Sequence, residues 1–140
     1  MERIELLQKE AIALLQKLIS TPSLSGEEDQ TAAHIKTWLE SHDVACKQEK
    51  NNVYAINKHE DPSKPYLLLN SHHDTVLANS GYTRNPNNPT IEDGKLYGLG
   101  SNDAGGALVC LLATFVYFYE EENMAYNLVV AATAEEETSG

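Results

Sequence analysis

The chain has 140 residues, of which 10 are basic and 21 acidic, giving a net charge of −11 with 41% hydrophobic residues. That apolar share supplies a core and excludes a disordered chain. The acidity argues against nucleic acid and anionic membrane surfaces as partners, since both need basic patches, and it suits a surface that draws in cations.

The length fits one domain, residues 1–140. Ile4, Leu7, Ala11, Leu14 and Leu18 recur every three or four residues, so an amphipathic helix is expected over about 2–20, ended by Thr21-Pro22. Ser25 followed by Glu28 has capping-box spacing, with a second helix on Ala32, Ile35 and Leu39 to about residue 42. Val44 to Gln48 and Val53 to Ile56 read as short strands around Lys50-Asn51-Asn52. Tyr66 to Asn70 is a continuous apolar run, as expected of a strand buried on both faces.

Residues 77–90, with four Asn and two Pro, read as loop, and Asp93-Gly94 as the turn of a small hairpin. Gly105 to about Tyr119 predicts a helix buried on most sides, with Cys110 inside it. Leu128 to Thr133 is another apolar strand. No disulfide framework follows from Cys46 and Cys110. The start resembles no signal peptide and no stretch reads as a membrane span, so a cytoplasmic protein is expected.

Strand, crossover helix, strand predicts a parallel βαβ unit inside an α/β fold: a mixed sheet with helices on both faces. Ligands in such sheets gather beyond the carboxyl ends of the parallel strands. His72 and Asp74 follow the first of these strands, Glu135, Glu136 and Glu137 follow the second, and Asp103 precedes the helix between them.

Singly, each has an ordinary reading: a surface or structural histidine, a helix N-cap at Asp103, a solvated run of glutamates. His34, His42 and His59 read as surface residues, and Trp38 as core. At one sheet edge the first three groups instead make a metal-ligating set. In extended backbone His72 and Asp74 face the same way, so the carboxylate can accept the second imidazole N–H and fix its tautomer, while His73 points oppositely.

Three stretches carry a resemblance: Ser71 to Val76 to H-x-D-x-V, Asp93 to Asp103 to D-G-x-x-x-G-x-G-x-x-D, and Glu135-Glu136-Glu137 to D-E-E. Each is similar to the corresponding stretch of the zinc-dependent amidohydrolases that include acetylornithine deacetylase, succinyl-diaminopimelate desuccinylase and aminoacylase. Ser20-Thr21-Pro22-Ser23 after the first helix fits as well. The resemblance implies a zinc-exopeptidase-like three-layer sandwich, incomplete at the carboxyl end, without the lid and dimerisation domain through which the full-length protein would form a homodimer.

It also implies two zinc ions, with cobalt or manganese as possible substitutes. His72 and Glu137 would each hold one, Asp103 would bridge both, Glu136 would be the general base and acid, and Asp74 would orient His72. The peptide after Asp103 is commonly cis in the family. The implied substrate is a small N-acyl amino acid, and N-acetylornithine first, because T-A-E-E-E-T-S resembles that subgroup's T-A-D-E-E-T-S. A desuccinylase or dipeptidase is the alternative, and a non-catalytic metal-binding module or inactive fragment is the alternative of another class. Ala104-Gly105-Gly106-Ala107 departs from the family's M-K-G-G in lacking the basic residue.

Overall fold

The computed structural model describes residues 1–139. Its elements are α1 (Glu2–Ile19), α2 (Asp29–Ser41), β1 (Cys46–Glu49), β2 (Asn52–Ile56), β3 (Tyr66–His72), β4 (Thr90–Glu92), β5 (Lys95–Tyr97), α3 (Gly106–Phe118), β6 (Asn127–Thr133) and α4 (Glu136–Ser139). A π turn, Ser101–Gly105, leads into α3.

The apolar positions of α1 bury Leu7, Ala11, Leu14, Leu15 and Leu18, while Ile4 stays exposed. Beyond Ile19 the helix stops where Pro22 can supply no N–H and restricts Thr21 before it. Helix α2 starts at Asp29, and Glu28 before it makes no side-chain cap bond. The expected capping box is therefore not formed. The Ser25 hydroxyl donates instead to Asp74, and Glu28 turns inward.

The four-stranded sheet has the order β1-β2-β6-β3. The pairs β1–β2 and β2–β6 are antiparallel, and β3–β6 is parallel, so the expected mixed sheet and βαβ unit are present. The Asp93-Gly94 hairpin forms separately from β4 and β5, with both turn residues at positive φ.

Alternate residues of the strands face one core. Val53, Ala55, Leu128, Val130 and Ala132 meet Ile35 and Leu39 of α2, the buried residues of α1, and Leu108, Leu112 and Phe115 of α3. Each large apolar side chain buried there contributes about 1.5–3 kcal/mol. The three long helices thus join a single core on one face. The second helical layer of a three-layer sandwich is not supplied by the described residues.

That one-sided cover corrects two expectations. Strand β3 is the last strand of the sheet, and Tyr66, Leu67 and Leu68 are exposed rather than buried on both faces. Helix α3 turns Leu108, Val109, Leu112, Phe115 and Val116 inward, which leaves Cys110 and Tyr117 exposed. The span Ser101–Phe118 is also long and apolar enough to cross a membrane by length and composition, contrary to the sequence reading. Its helical part packs on one side against α1, β3 and β6.

Candidate metal centre and active site

The parallel register sets His72 beside Thr133, so both strands leave the sheet at the same end. His72 is the last residue of β3 and is buried. Its Nε2 lies 3.1 Å from Asp103 Oδ1 and 3.7 Å from Glu136 Oε2. Its Nδ1 lies 3.1 Å from the Asp74 carbonyl oxygen and 3.2 Å from Asp74 Oδ1. Those partners only accept, so Nδ1 carries a proton, and Nε2 is the nitrogen that faces Asp103 and Glu136.

One ligating atom each from His72, Asp103 and Glu137 lie within 4.8 Å of one another. Burial works against charging His72. The Asp103 hydrogen bond, the Asp74 carbonyl and the charges of Asp74 and Glu136 outweigh it and raise the imidazole above its ordinary value of 6.5. A field that favours a proton at Nε2 equally favours a metal cation, so the residues present fit one.

Asp103 sits in the π turn with its side chain largely exposed, and it makes no cap bond for α3. The Asp103–Ala104 peptide is cis, as the resemblance implies. The turn needs its glycines. Gly100 has φ +75°, and a Cβ at Gly105 would stand 2.7 Å from the Gly100 carbonyl oxygen.

Asp74 is fully buried. Its Oδ2 accepts the Ser25 hydroxyl at 2.7 Å and the Glu137 N–H at 3.0 Å, and its Oδ1 accepts the Glu136 N–H at 3.2 Å. Burial would raise this carboxyl, but these donors and His72 hold it below its ordinary value of 3.8. One carboxylate therefore touches the histidine and fixes the start of α4, from which both glutamates project.

His73 points away from this cluster. Its Nε2 donates to the Asn51 carbonyl oxygen and its Nδ1 meets the Thr31 hydroxyl, both at 2.9 Å, and that hydroxyl also reaches the Glu28 carbonyl oxygen at 3.0 Å. Burial is the main reason its pKa falls below the ordinary value.

The five predicted residues, His72, Asp74, Asp103, Glu136 and Glu137, thus stand together. Sequence reasoning missed the residues behind them: Glu28, Thr31, Asn51 and Asn52. The signals that touch them have local readings: Ser25–Glu28 as a helix cap and Lys50-Asn51-Asn52 as a turn.

A cavity of about 230 Å³ opens beside the cluster, lined by Thr75, Val76, Tyr82, Asp103 and Glu137 among others. A larger one of about 620 Å³ lies between α1 and α3. Apolar side chains such as Ile4, Leu15, Val109 and Phe118 dominate its lining, which holds neither acid nor histidine.

Residues 68–140 match the model of peptidase family M20/M25/M40. The chain belongs to that family. It is 34% identical to an acetylornithine deacetylase of Salmonella arizonae, over 91% of this chain and 36% of that protein. It is 29% identical to a succinyl-diaminopimelate desuccinylase of a Sulfurovum species, over 90% of this chain and 34% of that protein. Among solved structures, an M20 family metallo-carboxypeptidase of Sulfolobus solfataricus superposes with a TM-score of 0.77 at 26% identity, covering 91% of this chain and 31% of that one. The chain spans about a third of the length of the curated relatives it matches.

Proposed function

We propose that the whole protein is a metal-dependent hydrolase that cleaves the amide bond of a small N-acyl amino acid, N-acetylornithine foremost. The observation that carries this reading is the meeting of His72, Asp103 and Glu137, with Glu136 Oε2 3.7 Å from His72 Nε2. The 34% identity to an acetylornithine deacetylase supports the substrate.

His72, Asp103 and Glu137 are the residues that would hold metal. One imidazole with carboxylates suits zinc, and the resemblance implies a pair of ions that Asp103 would help to hold, with cobalt or manganese able to substitute. Bound there, zinc would supply a Lewis acid that lowers the pKa of a water and stabilises negative charge on the substrate's carbonyl oxygen. Glu136 faces the same space without belonging to the tight trio, and its carboxylate is half exposed. It takes the proton of the attacking water and returns it to the leaving amine. Asp74 holds the tautomer of His72 and the backbone of Glu136 and Glu137.

Glu136→Ala in the whole protein tests the reading. Zinc content by elemental analysis should be retained, while turnover of N-acetylornithine falls by roughly 10²–10⁴-fold. Unchanged turnover would remove Glu136 from its role. N-succinyl-diaminopimelate is the competing substrate to assay, given the desuccinylase relative, and preference for it would overturn the choice of acyl group.

A further inference from the structure

Between β6 and α4, four consecutive backbone N–H groups each donate to a side-chain oxygen. Ala134 donates to Asn52 Oδ1 at 3.0 Å and Glu135 to Glu28 Oε1 at 3.0 Å. Glu136 and Glu137 donate to the two oxygens of Asp74. The acceptors come from the β1–β2 hairpin, the start of α2 and the segment after β3. A connection from strand to helix usually closes on its own backbone or on one capping residue. This one is held from three directions.

Glu28 is the least expected of these acceptors. It is a fully buried carboxylate on an element that reaches no predicted site residue through its own helix. Gly26 N–H donates to its Oε1 and Asn51 Nδ2 to its Oε2, each at 2.9 Å. A buried carboxylate is costly unless donors surround it. Two of these donors are local or lie in the hairpin turn, and the third is the peptide next to Glu136. Glu135 itself has φ +59°, a conformation that residues with a side chain seldom adopt and that persists only where the surroundings hold it.

Resting on the hydrolase reading above, we propose that Glu28 is a positioning residue for Glu136. By holding the Glu135 peptide in its left-handed conformation, it aims the Glu136 carboxylate at the space beside His72 and Asp103. Asn52 supports the same turn one residue earlier. Glu28 reaches no reacting atom and acts through this peptide.

The test uses the whole protein with Glu28→Ala, Glu28→Gln, Asn52→Ala and, as a control of general destabilisation, Leu39→Ala in the α2 core. Glu28→Ala should lower kcat by about 10²-fold at unchanged KM and zinc content, the scale expected when a reacting group is misplaced by about 1 Å. Glu28→Gln keeps an oxygen for the Gly26 and Glu135 N–H groups and should restore most of kcat. Leu39→Ala should lower the melting temperature and leave kcat of the folded protein unchanged.

Amide hydrogen exchange over residues 134–137 reads the same bond without substrate: it should quicken in Glu28→Ala and stay slow in Glu28→Gln. Should Glu28→Ala not fold, Asn52→Ala, at a half-buried hairpin position, should quicken the same exchange and lower kcat in the same direction. Unchanged exchange and kcat in the variants, or loss of zinc in step with kcat, would overturn the proposal. Absence of turnover in the unmodified protein would instead refute the hydrolase reading, and the exchange data would still decide the role of Glu28.

Discussion

His72 and His73 are neighbours, both buried, and they do opposite things. The alternation of extended backbone sends one ring to each side. His72 meets Asp74, Asp103 and Glu136, and the acids raise its pKa. His73 meets the Thr31 hydroxyl and the Asn51 carbonyl, and burial lowers its pKa. The residue type is the same, so the surroundings alone turn one ring toward a cluster of acids and make the other a buried strut. The strut belongs to the same hydrogen-bond network as Glu28. Asn51 joins His73 to Glu28, and Glu28 holds the Glu135 peptide.

Removing the His72 ring is the strongest way to break this contrast. His72→Ala should weaken zinc binding by more than the roughly 10–100-fold that loss of an outer supporting group costs, with turnover lost, as read by metal titration and assay. Asp74→Asn comes next. It keeps one acceptor where two oxygens now serve Ser25, Glu136, Glu137 and His72. Zinc affinity should fall by about 10–100-fold, measured by the same titration.

His73→Ala should leave zinc content intact. It leaves the Asn51 carbonyl without this donor, while the Thr31 hydroxyl keeps the Glu28 carbonyl oxygen, so urea denaturation of the metal-free protein should show a loss of about 1–3 kcal/mol.

The smallest effect is one of pH. Burial acts to raise the Glu28 carboxyl, but the Gly26, Asn51 and Glu135 donors together hold it below its ordinary value of 4.5. A depressed carboxyl contributes stability that is fully present above the unfolded value and lost as pH falls through the lower folded value. Unmodified protein should therefore lose more stability than Glu28→Gln on acidification below 4.5, a difference read from paired denaturation curves. Parallel curves would remove Glu28 from the pH response.

The residues around His72 were legible in the sequence because each stands at a strand end or before the crossover helix. The βαβ order alone brings such ends together. The opposite side was not legible. Glu28 and Glu135 lie 107 residues apart, and Ser25–Glu28 spacing has a local explanation that the fold does not use. Asn51 and Asn52 read as turn residues; Asn51 is one, while Asn52 opens β2, and their side chains and the Asn51 carbonyl also hold His73, Glu28 and Ala134.

The exposure of β3 was hidden for another reason. An apolar run reads alike in a central strand and at an edge, and only the strand order separates the two. Cys110 was misplaced because α3 is apolar all round, so its pattern does not say which side faces the core.

The division between the two histidines is tested most directly by following their ring nitrogens in ¹⁵N-labelled whole protein as zinc is added. The expected result is that the His72 signals move on zinc binding while His73 keeps its Nε2–H tautomer throughout. Movement of the His73 nitrogens, or none at His72, would contradict it.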